Sequence, residues 1–164
     1  MAQERRLRKT LIIFASIFLV SVLMWFTITH LRLHAESTDG RQVAEAIFRY
    51  DLDHWGKLGH TVLFTVEGHD PDEALLKSLA AIDPRAKKGS RGYIRKVPLE
   101  LYDKDTEQTA VEFDIRSMTR RSGTLFKASG GYYCGGLCAA GGTYTVRKAN
   151  GRWFVESFEM DWIS

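Results

Sequence analysis

Residues 10–29 read TLIIFASIFLVSVLMWFTIT, without a single charge. As a helix rising about 1.5 Å per residue, this run covers roughly 30 Å, the thickness of a bilayer's hydrocarbon core. Only a helix lets one isolated segment satisfy its own backbone polar groups in that medium. The run therefore predicts a transmembrane helix over 10–29, with Trp25 near a headgroup boundary. Arg5, Arg6, Arg8 and Lys9 precede it, whereas in His30-Leu-Arg-Leu-His34 only Arg32 is fully charged. Positive-inside ordering then expects a cytoplasmic tail over 1–9 and everything past the span outside, periplasmic or extracellular. The expected protein is single-pass in the cell inner membrane, with membrane lipid as its partner through residues 10–29. A cleaved signal peptide shares the basic start, but its apolar region is usually about 7–15 residues, and Leu33-His34-Ala35 is a poor cleavage site.

The net charge of +3 belongs to this leader. Residues 37–164 balance 18 basic against 18 acidic side chains. A neutral domain lacks the electrostatic footprint of a general nucleic-acid binder, so no nucleic-acid partner is expected.

After a linker over 30–38, residues 39–164 suffice for one domain. A helix is predicted near Thr38, with Asp39 as cap and Gln42 three residues on, and with Val43, Ile47 and Tyr50 on one face. Residues 61–67 form a β-branched and aromatic run, the pattern of a strand covered on both faces. Asp70-Pro-Asp-Glu73 starts a second helix, with Leu75, Leu76, Leu79 and Ile82 as its stripe and Asp83-Pro84 as its stop. Residues 85–96 read as a basic loop. Strands are expected over 98–103 and 110–117, around a turn at 105–108. Asn150-Gly151 marks a hairpin that pairs Val146 with Val155, Arg147 with Phe154, Tyr144 with Ser157 and Thr143 with Phe158. The expected fold class is α+β: an N-terminal transmembrane helix, then a helix-first domain with a curved antiparallel sheet.

The segment SGGYYCGGLCAAGGT, residues 129–143, holds Cys134 and Cys138 among six glycines. Gly135, Gly136, Gly141 and Gly142 form a structural glycine loop that permits positive φ and close backbone approach, either a tight bulged crossing between strands or a ligand-contacting loop. Four readings of the cysteines stay open. A local disulfide fits an i,i+4 pair in an exported domain. Reduced structural thiols need only burial. A redox dithiol would depart from the usual Cys-x-x-Cys spacing. A metal site would need His54, His60 or His69, at spacings that match no standard zinc pattern. His54, His60, Glu112 and Asp114 are the available acid–base groups, each read first as a solvated surface residue. Phe154 and Phe158 share one hairpin face and offer a possible partner surface. No catalytic set, metal or cofactor is expected from any motif.

Tyr133-Cys-Gly-Gly-Leu-Cys138, Gly142-Thr-Tyr-Thr-Val146, Asn150-Gly-Arg-Trp153 and Trp162-Ile-Ser164 together resemble a group of uncharacterised bacterial proteins with this cysteine segment, a Gly-x-Trp hairpin and a terminal Trp-Ile-Ser. Ala139 departs from the group's usual glycine. The resemblance implies a folded unit whose cysteine segment is structural, and it implies no activity. The helix-then-sheet order is similar to the cystatin-like cone of the nuclear-transport-factor-two-like superfamily, a likeness of fold alone. The expected function is a membrane-anchored domain with a non-enzymatic binding or assembly role, a protein partner among the possibilities. The alternatives are a small-molecule enzyme using a pocket in the sheet cone and a thiol redox or metal protein using Cys134 and Cys138.

Overall fold

Helix α1 (38–55) opens the part of the chain that the computed structural model describes, residues 38–164. Ala44, Ile47, Phe48 and Asp51 recur on it at steps of three and four, and all are buried. The chain then runs through β1 (Thr61–Val66), α2 (Glu73–Ile82), β2 (Ala86–Lys88), a 3-10 turn (Gly89–Arg91), β3 (Gly92–Lys96), β4 (Leu99–Asp103), β5 (Ala110–Ser122), β6 (Leu125–Gly135), β7 (Cys138–Ala149) and β8 (Arg152–Ile163).

One sheet takes all eight strands. Its path is β2-β1-β5-β6-β7-β8, and β4 meets β6 at Glu100–Gly135 and carries β3 along. β1 runs parallel to both β2 and β5, and the other pairings are antiparallel. A parallel pair needs a crossover, which α2 supplies between β1 and β2. The main core lies on one side of the sheet. Val43, Ile47 and Phe48 of α1 and Leu75 and Leu79 of α2 meet Phe64, Phe113, Tyr144 and Val146 there. A smaller cluster of Leu63, Leu101 and Ala110, with Tyr133 against it, covers the opposite side of β1. These two clusters are why 61–66 is apolar on both faces.

The expected fold class is corrected in several respects. The described residues are mostly sheet, with two α-helices, and the sheet is mixed rather than an antiparallel meander. The predicted span over 10–29 lies outside the described residues, and among these no helix is long and apolar enough to cross a membrane. Residues 85–96 are not a loop but β2, the 3-10 turn and β3. Strand β5 continues through Ser117–Ser122, and the glycine segment is a bulged strand crossing, with Gly135 in β6, Gly141 and Gly142 in β7 and Gly136 in the turn between. Helix α1 already includes Asp39, so this residue is not its cap. The cap of α2 is Asp72, whose Oδ1 accepts from the Leu75 N–H at 2.7 Å. Asp70 instead accepts from the N–H and hydroxyl of Ser90.

The final hairpin departs from uniform register. Asn150 and Gly151 take positive φ, and Val146 pairs with Val155 and Arg147 with Phe154 as expected. A bulge at Glu156 then makes Tyr144 the partner of Phe158 and Thr145 that of Ser157. A second irregularity at Asp161 pairs Gly141 with Trp162. Each extra residue flips the parity of the strand beyond it. Phe158 thereby turns inward, its ring 4.5 Å from that of Tyr144.

Charge also ties the elements together. Asp103, fully buried, accepts from Lys87 of β2, from Thr106 at 2.8 Å and from Thr61 of β1. Burial pushes its carboxyl up, but the hydrogen bonds from Lys87 and Thr106 outweigh it and hold the group below its ordinary range. Arg85 spans Asp83 and the carbonyls of Gly56 and Gly59. Removing a buried acceptor strands its donors. Asp103→Ala is expected to cost about 2–3 kcal/mol, below the usual loss for breaking a buried pair because Lys87 can reach water. Urea unfolding of the two proteins measures the difference, and an unchanged midpoint would contradict the anchoring role.

Candidate functional site

Three places concentrate chemistry, and each arises from how the strands end or cross.

At one end of the sheet, β6 closes with Cys134 and Gly135 and β7 opens with Cys138, across a turn through Gly136 and Leu137. The sulfurs stand at disulfide distance, with Cα atoms 5.2 Å apart. Leu137 at the tip is 94 % exposed. The Gly136 N–H donates to the carbonyl of Leu99, so β4 lies against this turn. Leu58, Pro98, Leu99 and Leu137 line a surface cleft of about 570 Å³ beside the two cysteines. Gly135 and Gly136 leave room for Leu99, and Gly141 and Gly142 lie within β7. A Cβ at Gly141 would strike the Trp162 ring and Arg116, and one at Gly142 would strike the Phe158 ring and the Glu159 backbone. These four glycines thus serve close approach; positive φ occurs instead at Gly68 and Gly151.

On the sheet face away from the helices, Glu112, Asp114 and Arg116 alternate along β5. Thr65, Tyr133 and Trp162 join them around a groove of about 260 Å³. Glu112 and Thr65 also line an adjoining one of about 430 Å³ that reaches His69, Asp70 and Ser90. The Arg116 guanidinium donates to the Gly130 carbonyl, stands 3.5 Å from Asp114 and lies 5.8 Å from the Trp162 ring centre. Burial pushes both acids up. For Glu112 a bond from Thr65 works against this and the Asp114 charge adds to it; for Asp114, Arg116 and the Gly131 N–H work against it.

Inside the core, the Tyr144 hydroxyl donates to Asp51 Oδ1 at 2.8 Å, across 93 positions of sequence. Asp51 Oδ2 has no protein partner. Burial drives the Asp51 carboxyl well up, against the Tyr144 bond, with the Asp114 charge adding to the rise. Burial and the neighbouring Asp51 push the Tyr144 phenol up as well.

The sequence-derived candidates scatter over these places. Glu112 and Asp114 do share one groove. His54 stacks on Tyr50 at 3.9 Å, with Nδ1 against the Tyr50 carbonyl, and His60 bonds Thr109, so neither reaches that groove. Among the described residues no three His, Cys, Asp or Glu side chains come together in a way that could hold a metal ion. Phe154 is 42 % exposed, while Phe158 sits half-buried against Tyr50, Trp55 and Tyr144. The basic run of 85–96 is largely neutralised: Lys87 pairs with Asp103, Lys88 with Glu73, Arg91 with Asp105 and Arg95 with Glu107.

The sequence pattern marks neither Asp51 nor Arg116 as a site residue, and Trp162 enters it only through the terminal Trp-Ile-Ser motif. Asp51 could be picked out all the same, because an acid three and four residues past Phe48 and Ile47 falls on the apolar stripe of α1.

Comparison with known proteins returns no match: no protein-family model, no curated protein and no solved structure is similar to the chain.

The raised Asp51 carboxyl fixes the sign of a pH effect. The folded state holds its proton more tightly than the unfolded chain, whose ordinary value is about 3.9. The Asp51 contribution to stability is therefore complete below that value and is lost as pH rises through the folded one. Asp51→Asn, which keeps an acceptor for Tyr144, is expected to melt with a smaller decline between acid and neutral pH than the natural chain. Thermal melts across that range compare the slopes, and equal slopes would show that Asp51 does not titrate in the fold.

Proposed function

We propose that this is a non-enzymatic binding or assembly domain, tethered to the inner membrane through residues 10–29 and displayed outside the cytoplasm, which grips a protein partner with the apolar end around Cys134 and Cys138. The exposure of aliphatic side chains at that end carries the reading. Leu137 is 94 % and Val97 86 % exposed, with Leu99 and Leu58 about half out. Apolar groups gathered at turn tips around a cleft mark interaction surfaces, because water solvates them poorly. Lys57 and Lys96 border the patch in sequence, and neither meets a carboxylate among the described residues. The partner that fits presents apolar side chains flanked by carboxylates. An enclosed active site finds no support in the interior, which Phe48, Phe64, Phe113 and Tyr144 fill.

A photo-crosslinking residue placed at 137 in living cells is expected to trap one discrete partner, and the same residue at 123, on the far hairpin, is not. The 137 adduct should weaken when Lys96→Glu reverses the border charge. Loss of position dependence, indifference to Lys96→Glu, or an adduct of twice the chain's own mass would each overturn the reading. Placement is checked separately with protease added to intact spheroplasts. Digestion of the domain is expected, and its protection would reverse the orientation.

A further inference from the structure

We infer that the groove between β5 and Trp162 is a binding site for a small organic cation, an alkylammonium or guanidinium group, with Glu112 as its counter-ion and the Tyr133 and Trp162 rings as its walls. The site is distinct from the apolar end and does not depend on it.

The chain's own Arg116 demonstrates the chemistry. Its guanidinium lies beside the Asp114 carboxylate and over the Trp162 ring, on the same face and two residues along the same strand. A carboxylate beside an aromatic ring is a cation seat, because the ring's electron-rich face adds to the ionic attraction. Glu112 repeats the arrangement one step along β5, with Thr65 and Tyr133 around it. Glu112 differs from Asp114 in one respect: no Lys, Arg or His among the described residues pairs with it. Its carboxylate is half-buried, bonded by Thr65, and repelled by Asp114. A partly desolvated carboxylate without a counter-charge is costly, and a cation seated against it recovers that cost.

The geometry also selects among ligands. A hard divalent metal wants several oxygen ligands, and no group of three acids or histidines gathers here among the described residues. An anion would find Arg116, but already engaged with Asp114 and with the Gly130 carbonyl. An alkylammonium group combines a compact charge for Glu112 with a short apolar stem for the rings.

The ligand also senses the protonation of Glu112. Burial raises that carboxyl, so acidification neutralises it earlier than an exposed glutamate, and the site weakens as pH falls.

The test uses the full chain in detergent micelles, titrated with n-butylammonium, while the Trp162 indole N–H resonance is followed by NMR. Saturable movement is expected near pH 7.5, with weaker binding at lower pH. Glu112→Gln should weaken binding about tenfold. Trp162→Leu replaces a half-exposed ring outside the main core, and calorimetry should find its binding weaker by about threefold. Matching circular dichroism of each variant with the natural chain confirms folding. Magnesium ion or inorganic phosphate, added at equal concentration, should leave the titration unmoved. Non-saturable behaviour, equal affinity in both variants and the natural chain, or preferential binding of magnesium or phosphate would overturn the assignment.

Discussion

Strand β8 has to serve two faces that want different side chains at incompatible spacing, and the solution governs both sides of the sheet. Trp153 and Val155 face the core at a regular period of two. Continuing that period would send Ser157 inward and leave Phe158 in water. The bulge at Glu156 inserts one residue and brings Phe158 onto Tyr144. The irregularity at Asp161 repeats the manoeuvre and lays Trp162 on the opposite face, over Gly141. Both extra residues are acidic and reach back to β7: Glu156 accepts from Arg147 and Asp161 from the Thr143 hydroxyl. The partner strand must be flat where the rings cross it, hence Gly141 and Gly142 side by side in β7, one clearing space for Trp162 and the other for Phe158.

Electrostatics obeys a comparable economy. Residues 37–164 are neutral in sum, and the cations of 85–96 show how their ions tie elements together. They join β2 and β3 to α2, to the turn after β4 and to the acid at the end of β4. Single exposed pairs of this kind contribute little each. Asp103 is different, since it is buried and accepts from three side chains. Two acids are held differently: Glu112 lies half-buried in its groove with no cation against it among the described residues, and Asp51 Oδ2 lies in the core with no protein partner.

Sequence reasoning reached what local patterns encode. The strands at 61–66, 99–103 and 110–117 declare themselves by β-branched runs or alternation, and Asn150-Gly151 sets its turn because both residues tolerate positive φ. What escaped was non-local. A bulge has no local signature, so Phe154 and Phe158 were placed together though the chain separates them. The run 85–96 looks like a loop because its cations hide a strand pattern whose counter-ions lie 14 or more residues away in most cases. The glycines between Ser129 and Thr143 hide their reason because the groups they clear lie elsewhere in the chain: Leu99 for Gly135 and Gly136, and the rings of Trp162 and Phe158 for Gly141 and Gly142. Of the groove, Glu112 and Asp114 were visible by alternation, while Thr65 and Trp162 join them only through parallel pairing and the second bulge.

Large side chains fill the described interior, and the two surfaces of interest on the outside differ in kind. The groove beside Glu112 is small, polar and walled by rings, so it fits a ligand of a few atoms with charge as its chief attraction. The end at Leu137 is apolar and projects outward, so it fits a large surface and gains by area. The cysteine pair matters only for the second. A turn of three residues closed between Cys134 and Cys138 has few conformations left to lose, so on the proposed reading Leu137 would be presented to a partner at little entropic cost. A disulfide-linked turn that held a buried side chain would add stability alone. One that holds a leucine almost wholly in water, around the same cleft as the half-exposed Leu99, accords with the preorganised contact proposed above.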